Sequence, residues 1–377
     1  MTRKIRIAHC IETMHLGGVE QTRLTLARGL DPDRYEQTVL CTKAEGALPA
    51  QFDALGCPVV VIGTFRSRID HAVIGRATKA LRAFKPDIVH GGVFEGVVTA
   101  TFAGLAARAP IIVGEETADP VGRRWSGHLF MRLLTMANDR VVAVSPFVRD
   151  YLVNSLKIPA RKVVLINNGV PDKGDLQEKG RRIRARFGLA DEHFVIGSVG
   201  RLFDNQKRTS DLIRALPAVL SAHPEARLLI VGDGLYRGRL EEIAVEYGVS
   251  DRTVFAGYQP DPGPFLHAMD LFAHPAASEA FGLVLAEAML AKLPVVATNV
   301  GGIPHVVENG VTATLIPPFS PDRLAQAIIA LAGDPARRHA MGVAGRERAL
   351  RLYGEDRYLR EMDGMYSELV AAKKLLN

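Results

Sequence analysis

Cysteine, tryptophan and long apolar runs are scarce in this sequence of 377 residues. The three cysteines, Cys10, Cys41 and Cys57, lie in or beside apolar segments without a C-x-x-C pair, which predicts buried thiols and disfavours disulfides or a metal site. No stretch approaches about 18 apolar residues without charge, so we expect no spanning helix. The amino terminus enters an apolar strand without the core of a signal peptide, which predicts a cytoplasmic protein, with peripheral contact to the inner face of the membrane as an open possibility.

The positive charge is concentrated in the first half of the chain. Residues 1–172 carry 22 Lys and Arg against 16 Asp and Glu, whereas residues 173–377 carry 25 of each. This bias predicts an anionic partner for the first half, such as a membrane surface or an acidic acceptor. Nucleic acid is not expected, because no recognition motif is present. The segment from Arg123 and Arg124 through Trp125 to Arg132, with Phe130 and Met131, is a candidate for contact with anionic lipid, and a plain solvated helix is the alternative.

Short apolar runs alternate with helical segments along the whole chain, and the length exceeds what one core usually supports, so we expect two domains. Continuous apolar strands of this kind are typical of parallel sheets covered by helices on both faces. The predicted strands are Ile5–His9, Gln37–Cys41, Val59–Ile62, Ile88–His90, Ile111–Gly114, Arg140–Val144, Val163–Ile166, Phe194–Val199, Arg227–Val231, Val254–Ala256, Leu271–His274, Pro294–Ala297 and Ala313–Leu315.

Turn residues at 167–179 mark the predicted domain boundary. We expect residues 1–172 to form one domain and residues 173–377 a second. Both would be Rossmann-like and doubly wound, facing each other across a cleft where ligands bind. The last helix is predicted to pack back across the first domain.

Two glutamates separated by seven residues, Glu279 and Glu287, flank the predicted start of a helix. The backbone N–H groups of Phe281, Gly282 and Leu283 would be free there, and such groups favour a phosphate through hydrogen bonds and the helix dipole. A carboxylate on each side can accept hydrogen bonds from sugar hydroxyls. The spacing therefore indicates a nucleotide-sugar site, with a simple strand-to-helix turn as the alternative.

Other candidates follow the predicted strands. Arg201 and Lys207 come after a strand of the second half and are suited to neutralising a diphosphate, and Gly17 and Gly18 would let a ligand approach the backbone after the first strand. In the first half His90 ends one strand, and Glu115 and Glu116 follow another, so we expect these three side chains to face the cleft. The alternatives are ordinary surface cations for Arg201 and Lys207, a tight turn for the paired glycines, and a hydrogen-bonded structural residue for His90.

Two motifs are discounted. Gly232-Asp233-Gly234 lacks the spacing of a dinucleotide fingerprint and does not follow the first strand of its domain. Asp31-Pro32-Asp33 matches the D-x-D of metal-dependent sugar transferases, but it lies between a helix and the start of a strand, where proline and aspartate are typical of a turn. No other cluster has the spacing of metal ligands, so no metal is expected.

Taken together, the motifs resemble the retaining glycosyltransferases of family four, which have the GT-B fold. The matching motifs are G-G-V-E at 17–20, V-V-A-V-S at 141–145, N-N-G-V at 167–170, G-R-L with the later lysine at 200–207, V-G-D-G at 231–234, E-x7-E at 279–287 and V-G-G-I-P at 300–304. The resemblance implies that Arg201 and Lys207 contact the donor diphosphate, Glu287 the ribose and Glu279 the sugar. It also implies that the amides at 281–283 hold donor groups and that Gly17 and Gly18 border the diphosphate.

The chain departs from the family pattern at three positions. Glu116 stands where the family often has a histidine, His305 where many members have glutamate, and Arg208 where the lysine is commonly followed by glycine. We expect these departures to affect the choice of sugar or acceptor more than the reaction.

The function that the resemblance implies is transfer of a hexosyl unit from a UDP-sugar to a hydroxyl acceptor with retention, without metal or other cofactor. The acceptor would be a glycan or a lipid-linked sugar in cell-envelope synthesis, bound by the domain of residues 1–172, and the domain of residues 173–377 would bind the donor. A nucleotide-sugar epimerase of the same fold and a non-catalytic nucleotide-sugar binding module remain as alternatives.

Overall fold

The structure is a computed structural model that describes residues 3–14, 17–117 and 125–375. The chain divides into two compact units, Met1–Gly169 with Glu355–Asn377, and Val170–Gly354. The observed division lies three residues before the predicted boundary at 172. Residues 355–377 group with the first unit and not with the second domain, and their helix packs into the core of the first unit, which agrees with the prediction that the last helix packs back on it.

The first unit contains a parallel sheet with the strand order β3-β2-β1-β4-β5-β6-β7. Its strands are β1 Ile5–Met14, β2 Tyr35–Ala44, β3 Val59–Val61, β4 Ile88–Gly92, β5 Ile111–Glu116, β6 Arg140–Ala143 and β7 Val163–Leu165. Its helices up to residue 169 are α1 Gly18–Gly29, α2 Leu48–Ala54, α3 His71–Phe84, α4 Val93–Ala107, α5 Trp125–Ala137 and α6 Pro146–Asp150.

The second unit contains a parallel sheet with the order β10-β9-β8-β11-β12-β13. Its strands are β8 Phe194–Val199, β9 Ala226–Val231, β10 Thr253–Gly257, β11 Leu271–His274, β12 Val295–Thr298 and β13 Ala313–Ile316. Its helices are α7 Gln177–Arg186, α8 Asp204–Lys207, α9 Thr209–Ala222, α10 Arg237–Glu246, α11 Gly263–Leu266, α12 Leu283–Leu290, α13 Ile303–Val306, α14 Pro321–Ala332 and α15 Pro335–Tyr353. The last helix, α16 Glu355–Ala372, belongs to the first unit.

The α/β, doubly wound fold class is confirmed, and every predicted strand is present with ends that differ by a few residues. The strands are parallel, which requires helical crossovers, and the helices between them supply these.

The thiols of Cys10, Cys41 and Cys57 are buried and free, as predicted. Burial raises the pKa of Cys10 to about 12 and that of Cys41 to about 11, so these thiols stay protonated at neutral pH.

The helix α16 covers one face of the first sheet. Its side chains Tyr358, Met362 and Tyr366 are buried in the same apolar cluster as Ile7 of β1 and Ile88 of β4. The unit is therefore built from both ends of the chain, and the break at Gly354, which separates α15 from α16, marks the return to it.

Candidate functional site

The order of strands in the second unit reverses between β8 and β11, which lie side by side. The chain leaves the carboxyl ends of these two strands in opposite directions, and doubly wound sheets bind ligands at such a switch point. A pocket of about 250 Å³ lies at this point, and we call it the switch-point pocket. It is lined by Ser198, Val199, Gly200, Arg201, Leu202, Lys207, Thr209, Ile230, Val231 and His274.

Two cationic side chains line this pocket, and they differ in whether a carboxylate pairs with them. Arg201 is exposed, and no described residue forms a hydrogen bond or ion pair with its guanidinium. Lys207 is mostly covered, and its Nζ donates a hydrogen bond to Glu279 Oε2 at 2.6 Å. Arg201 can therefore bind an anion without breaking an internal contact. The charge of Lys207 is instead partly neutralised by Glu279.

The carboxylate of Glu279 is held by two neighbours. Besides Lys207, His274 donates from Nε2 to the same oxygen, Oε2, at 3.1 Å. The Glu279 side chain is 13% exposed and the His274 side chain 3%. Burial by itself would raise the pKa of Glu279, but the charge of Lys207 and the hydrogen bond from His274 outweigh it and lower the pKa to about 2. Glu279 is therefore an ionised carboxylate bonded to two of the residues that line the pocket, Lys207 and His274.

The loop that carries Glu279 is fixed by three hydrogen bonds to its backbone. Ala277 N–H donates to the Gln206 carbonyl at 2.8 Å, and Thr298 Oγ1 donates to the Ala276 carbonyl at 2.6 Å. Gly302 N–H donates to the carbonyl of Glu279 itself at 2.7 Å. A Cβ on Gly302 would lie 2.0 Å from the Ala280 carbonyl oxygen, so this approach requires glycine. The contacts hold the Glu279 backbone in place before any ligand binds.

The start of α12 offers unpaired donors, as predicted. Among the described residues none accepts a hydrogen bond from the amides of Phe281, Gly282 or Leu283. Gly282 caps the helix at φ 87°, a left-handed conformation that favours glycine. Phe281 is buried with its ring edge-on to Tyr353. The geometry is therefore that of an anion-binding helix start beside Glu279.

The glycines of the V-G-D-G motif hold two loops together. Gly200 N–H donates to the Val231 carbonyl at 3.0 Å, and a Cβ on Gly232 would lie 1.9 Å from the Gly200 carbonyl oxygen. Leu202 N–H donates to the Asp233 carbonyl at 2.9 Å. These contacts position the Arg201 loop, which explains the glycines without a dinucleotide.

Glu287 is not among the residues that line the switch-point pocket. It is half-buried and lines a second pocket of about 350 Å³, formed with Lys173, Gly263, Leu266 and others. Burial raises the pKa of Glu287, the Lys173 charge opposes this, and the Asp261 charge adds to it. A contact of Glu287 with ribose stays a prediction.

His90 does not face a ligand site, which corrects the sequence interpretation. It is fully buried because β4 continues two residues beyond it and α16 covers it. Its Nδ1 is hydrogen-bonded to the Tyr366 hydroxyl at 2.6 Å, and its Nε2 lies 3.2 Å from Glu115 Oε2. Burial and the nearby Arg23 charge lower the pKa of His90 to about 4, so it is a neutral structural residue.

Glu115 and Glu116 end β5 instead of following it, and both are buried.

Gly17 caps α1 and Gly18 is its first residue. The space beside Gly17 is taken by a carboxylate of the same helix, because a Cβ there would lie 2.4 Å from Glu20 Oε2. The roles of Glu116, Gly17 and Gly18 towards a ligand stay predictions.

Two departures from the family pattern have structural explanations. Arg208 adopts the left-handed conformation at φ 53°, which glycine favours, and its guanidinium forms a bidentate pair with Asp211. The side chain of His305 is exposed, while its carbonyl accepts from Tyr353 Oη at 2.8 Å. Neither side chain is among those that line the switch-point pocket.

Sequence reasoning missed His274, the second partner of Glu279. A signal was present, because a histidine ends a buried apolar strand five residues before the glutamate. The same reasoning selected His90, where the strand continues and a helix covers the ring.

The discounted D-x-D motif lies in a turn, in which the Asp33 amide donates to Asp31 Oδ1 at 2.9 Å. Within residues 3–14, 17–117 and 125–375, no three His, Cys, Asp or Glu side chains are grouped as metal ligands. In the same ranges no helix has the length and apolar character needed to cross a membrane.

Two family descriptions match consecutive parts of the chain. Residues 17–169 match the glycosyl transferase 4-like domain, and residues 180–348 match glycosyl transferases group 1. The chain belongs to the group 1 glycosyltransferases. The E-x7-E segment and the Arg201 loop both fall within the group 1 match, and the fold of this group 1 glycosyltransferase is the predicted GT-B fold.

The chain is similar over part of its length to two curated group 1 relatives. One is an uncharacterized glycosyltransferase of Methanocaldococcus jannaschii, 30% identical over 63% of this chain and 62% of the relative. Another is the GDP-mannose-dependent alpha-(1-6)-phosphatidylinositol monomannoside mannosyltransferase of Mycolicibacterium smegmatis, 39% identical over 45% of this chain and 46% of the relative. The similarity thus spans less than two thirds of either relative.

The similarity in fold extends over nearly the whole chain. Anabaena HepE, crystallised with UDP and glucose, superposes with a TM-score of 0.85 at 23% identity, over 97% of this chain and 100% of HepE.

Proposed function

We propose that this protein transfers a hexosyl unit from a UDP-sugar to a hydroxyl acceptor with retention at the anomeric carbon. The observation that carries the proposal is the ionised Glu279, which is paired with Lys207 and lies just before the unpaired amides of a helix start, while the exposed Arg201 lines the same pocket as Lys207. A nucleoside diphosphate sugar has the complementary groups, two phosphates and a ring of hydroxyls. Catalysis requires no metal in this proposal.

The proposed reaction proceeds on one face of the sugar. The bond between the anomeric carbon and the β-phosphate oxygen breaks, and the acceptor oxygen bonds to the same face while its proton passes to the departing phosphate. Arg201, Lys207 and the amides at 281–283 would stabilise the charge on that phosphate. Glu279 would orient the sugar and stabilise the positive charge that develops at the anomeric carbon. Glu287 would bind the ribose.

The acceptor in this proposal is a glycan or a lipid-linked sugar of the cell envelope, bound by the first unit. Support comes from the phosphatidylinositol mannoside named for the Mycolicibacterium smegmatis relative. In the first unit Val93, at the start of α4, has φ 63°, and a β-branched residue in this conformation is strained, as often occurs at binding sites. We propose a cytoplasmic protein that contacts an anionic membrane peripherally.

The donor is tested with a thermal-shift panel of UDP-, GDP- and ADP-sugars, followed by a transfer assay with the stabilising donor. We expect a UDP-sugar to raise the melting temperature most, because a ligand that binds only the native state stabilises it. GDP-mannose is the most important alternative donor in the panel, because one relative is named as GDP-mannose-dependent. Acceptor-dependent release of UDP, with a product of unchanged anomeric configuration by NMR, would support transfer. Release without acceptor and conversion to an epimer would contradict it.

We expect His274 to act through Glu279, and a pH–rate profile separates this role from a packing role. The folded pKa of Glu279 is about 2, below its ordinary value of about 4.3, so the stabilisation by its ionised form is present above pH about 4.3 and lost as pH falls through 2. The pKa of His274 is lowered chiefly by burial, so the ring stays neutral near pH 7. His274→Leu removes a donor to the carboxylate and should raise the Glu279 pKa.

The expected result for His274→Leu is an acid limb of kcat displaced to higher pH and a raised KM for the donor. His274→Gln keeps an N–H donor and should recover part of both. Equal loss in the two variants with no change in the pH profile would mean that the ring only fills space.

A further inference from the structure

The helix α5, Trp125–Ala137, has an exposed face that is almost entirely apolar. Trp125 is 78% exposed, Leu129 48%, Leu133 63% and Met136 41%. Their spacing of four, four and three residues places these side chains on one face of the helix. The opposite side is buried in the first unit through Met131, Leu134 and Thr135. We call the four exposed apolar residues the α5 stripe.

The stripe differs from ordinary exposed hydrophobic residues, which are scattered. It holds four large apolar side chains within twelve residues, including the only tryptophan of the chain. The sequence segment had suggested Phe130 and Met131 as lipid contacts, but Met131 is buried and the Phe130 ring packs against Phe94 with centroids 5.9 Å apart. The side chains of this helix that are most exposed are therefore those of the α5 stripe, whereas Met131 is withdrawn from the surface.

The charged residues within the α5 segment itself are of one sign. Arg132 is exposed between Leu129 and Leu133, no acidic residue occurs from 125 to 137, and Arg123 and Arg124 precede the helix in the sequence. The first unit carries 26 Lys and Arg against 20 Asp and Glu, whereas the second carries 21 of each. An apolar face with an arginine beside it is complementary to the interface of an anionic bilayer, which offers acyl chains and phosphates side by side.

We propose that α5 is a membrane-docking helix that lies in the interface of a bilayer containing anionic lipid. The α5 stripe enters the boundary between headgroups and acyl chains, with Trp125 at headgroup level, and Arg132 contacts lipid phosphates. The surface gives the proposed membrane contact a defined location. The membrane-docking proposal is tested without any sugar donor. If docking fails, the proposed transfer reaction is not affected, and if the transfer reaction fails, the docking proposal is not affected.

Tryptophan fluorescence reports directly on the stripe, because Trp125 is the single tryptophan. The full chain is mixed with vesicles of phosphatidylcholine containing phosphatidylglycerol, or of phosphatidylcholine alone. We expect a blue shift of emission with the anionic vesicles, quenching by lipids brominated on the acyl chains, and little change with the neutral vesicles. High salt should weaken the binding, because arginine contributes through its charge.

Vesicle co-sedimentation of a matched pair of double variants identifies the surface. Leu129→Gln with Leu133→Gln is expected to lower the partition coefficient by about tenfold or more. The control is Leu235→Gln with Val245→Gln, which removes two residues of the second unit that are 91% and 70% exposed and should bind as the wild type does. Arg132→Glu should weaken binding to anionic vesicles only.

Three results would overturn the proposal. The first is unchanged Trp125 emission with anionic vesicles, and the second is equal binding by both double variants. The third is a blue shift that depends on protein concentration in the absence of vesicles, with a dimer in sedimentation velocity, which would mean that a second copy of the chain covers the stripe.

Discussion

Lys207→Ala is expected to lower the turnover number by about 100- to 1,000-fold, the loss typical when a donor to a developing negative charge is removed. The ammonium of Lys207 lies in the switch-point pocket, and its partner Glu279 keeps the hydrogen bond from His274 when the lysine is removed. The fold should therefore survive with a modest loss of stability. Steady-state kinetics with saturating donor and a thermal melt measure the two effects.

Arg201→Ala is a second test of the diphosphate contacts. The Arg201 guanidinium is exposed and contacts no carboxylate in the described part of the chain. Its removal should lower turnover without changing the melting temperature. Lys79→Ala, at an exposed lysine of α3, is the control and should leave both unchanged. Full turnover in Lys207→Ala would refute the assignment of Lys207 to the diphosphate.

The largest effect on stability is expected for Arg23→Ala, with a loss of about 3–5 kcal/mol in the free energy of unfolding. Arg23 Nη2 donates to Glu115 Oε2 at 2.7 Å, and the two side chains are 0% and 2% exposed. Burial would raise the pKa of Glu115, but the Arg23 charge outweighs it and lowers the pKa to about 2. Without Arg23 the buried carboxylate has no counter-charge and keeps only His90 Nε2 at 3.2 Å, so it must take up a proton or draw in water.

Urea unfolding followed by circular dichroism measures this loss. Arg34→Ala breaks a pair with Asp363 in the same unit whose side chains are 43% and 37% exposed, and should cost less than about 1 kcal/mol. The double variant Arg23→Met with Glu115→Leu should recover much of the loss, because Arg23 Nε and Glu115 Oε1 have no partner among the described residues. Equal effects of Arg23→Ala and Arg34→Ala would contradict the role of burial.

The fold could be predicted because its signal is local. Each strand is a short apolar run, such as Phe194–Val199 or Leu271–His274, and buried parallel strands need little else to be recognised. The E-x7-E segment likewise contains its own helix start, and the structure has the predicted unpaired amides at 281–283.

The errors arise where the outcome depends on distant parts of the chain. The burial of His90 is determined by Tyr366, 276 residues later. The partners of Glu279 come from α8 and β11, and only the folded chain shows that Lys207 and His274 share one of its oxygens. The placement of Glu287 beside Lys173 depends on the segment that follows the domain boundary. A single sequence gives the type of these residues but not their neighbours.

A crystal structure of the protein soaked with UDP, and in parallel with GDP, tests the central claim most directly. The account predicts that the diphosphate of the nucleotide that binds lies in the switch-point pocket, in contact with Arg201 and with at least one amide of residues 281–283. The account would be contradicted by a nucleotide bound in the second unit at another position, with the switch-point pocket empty and no contact to the loop that carries Glu279.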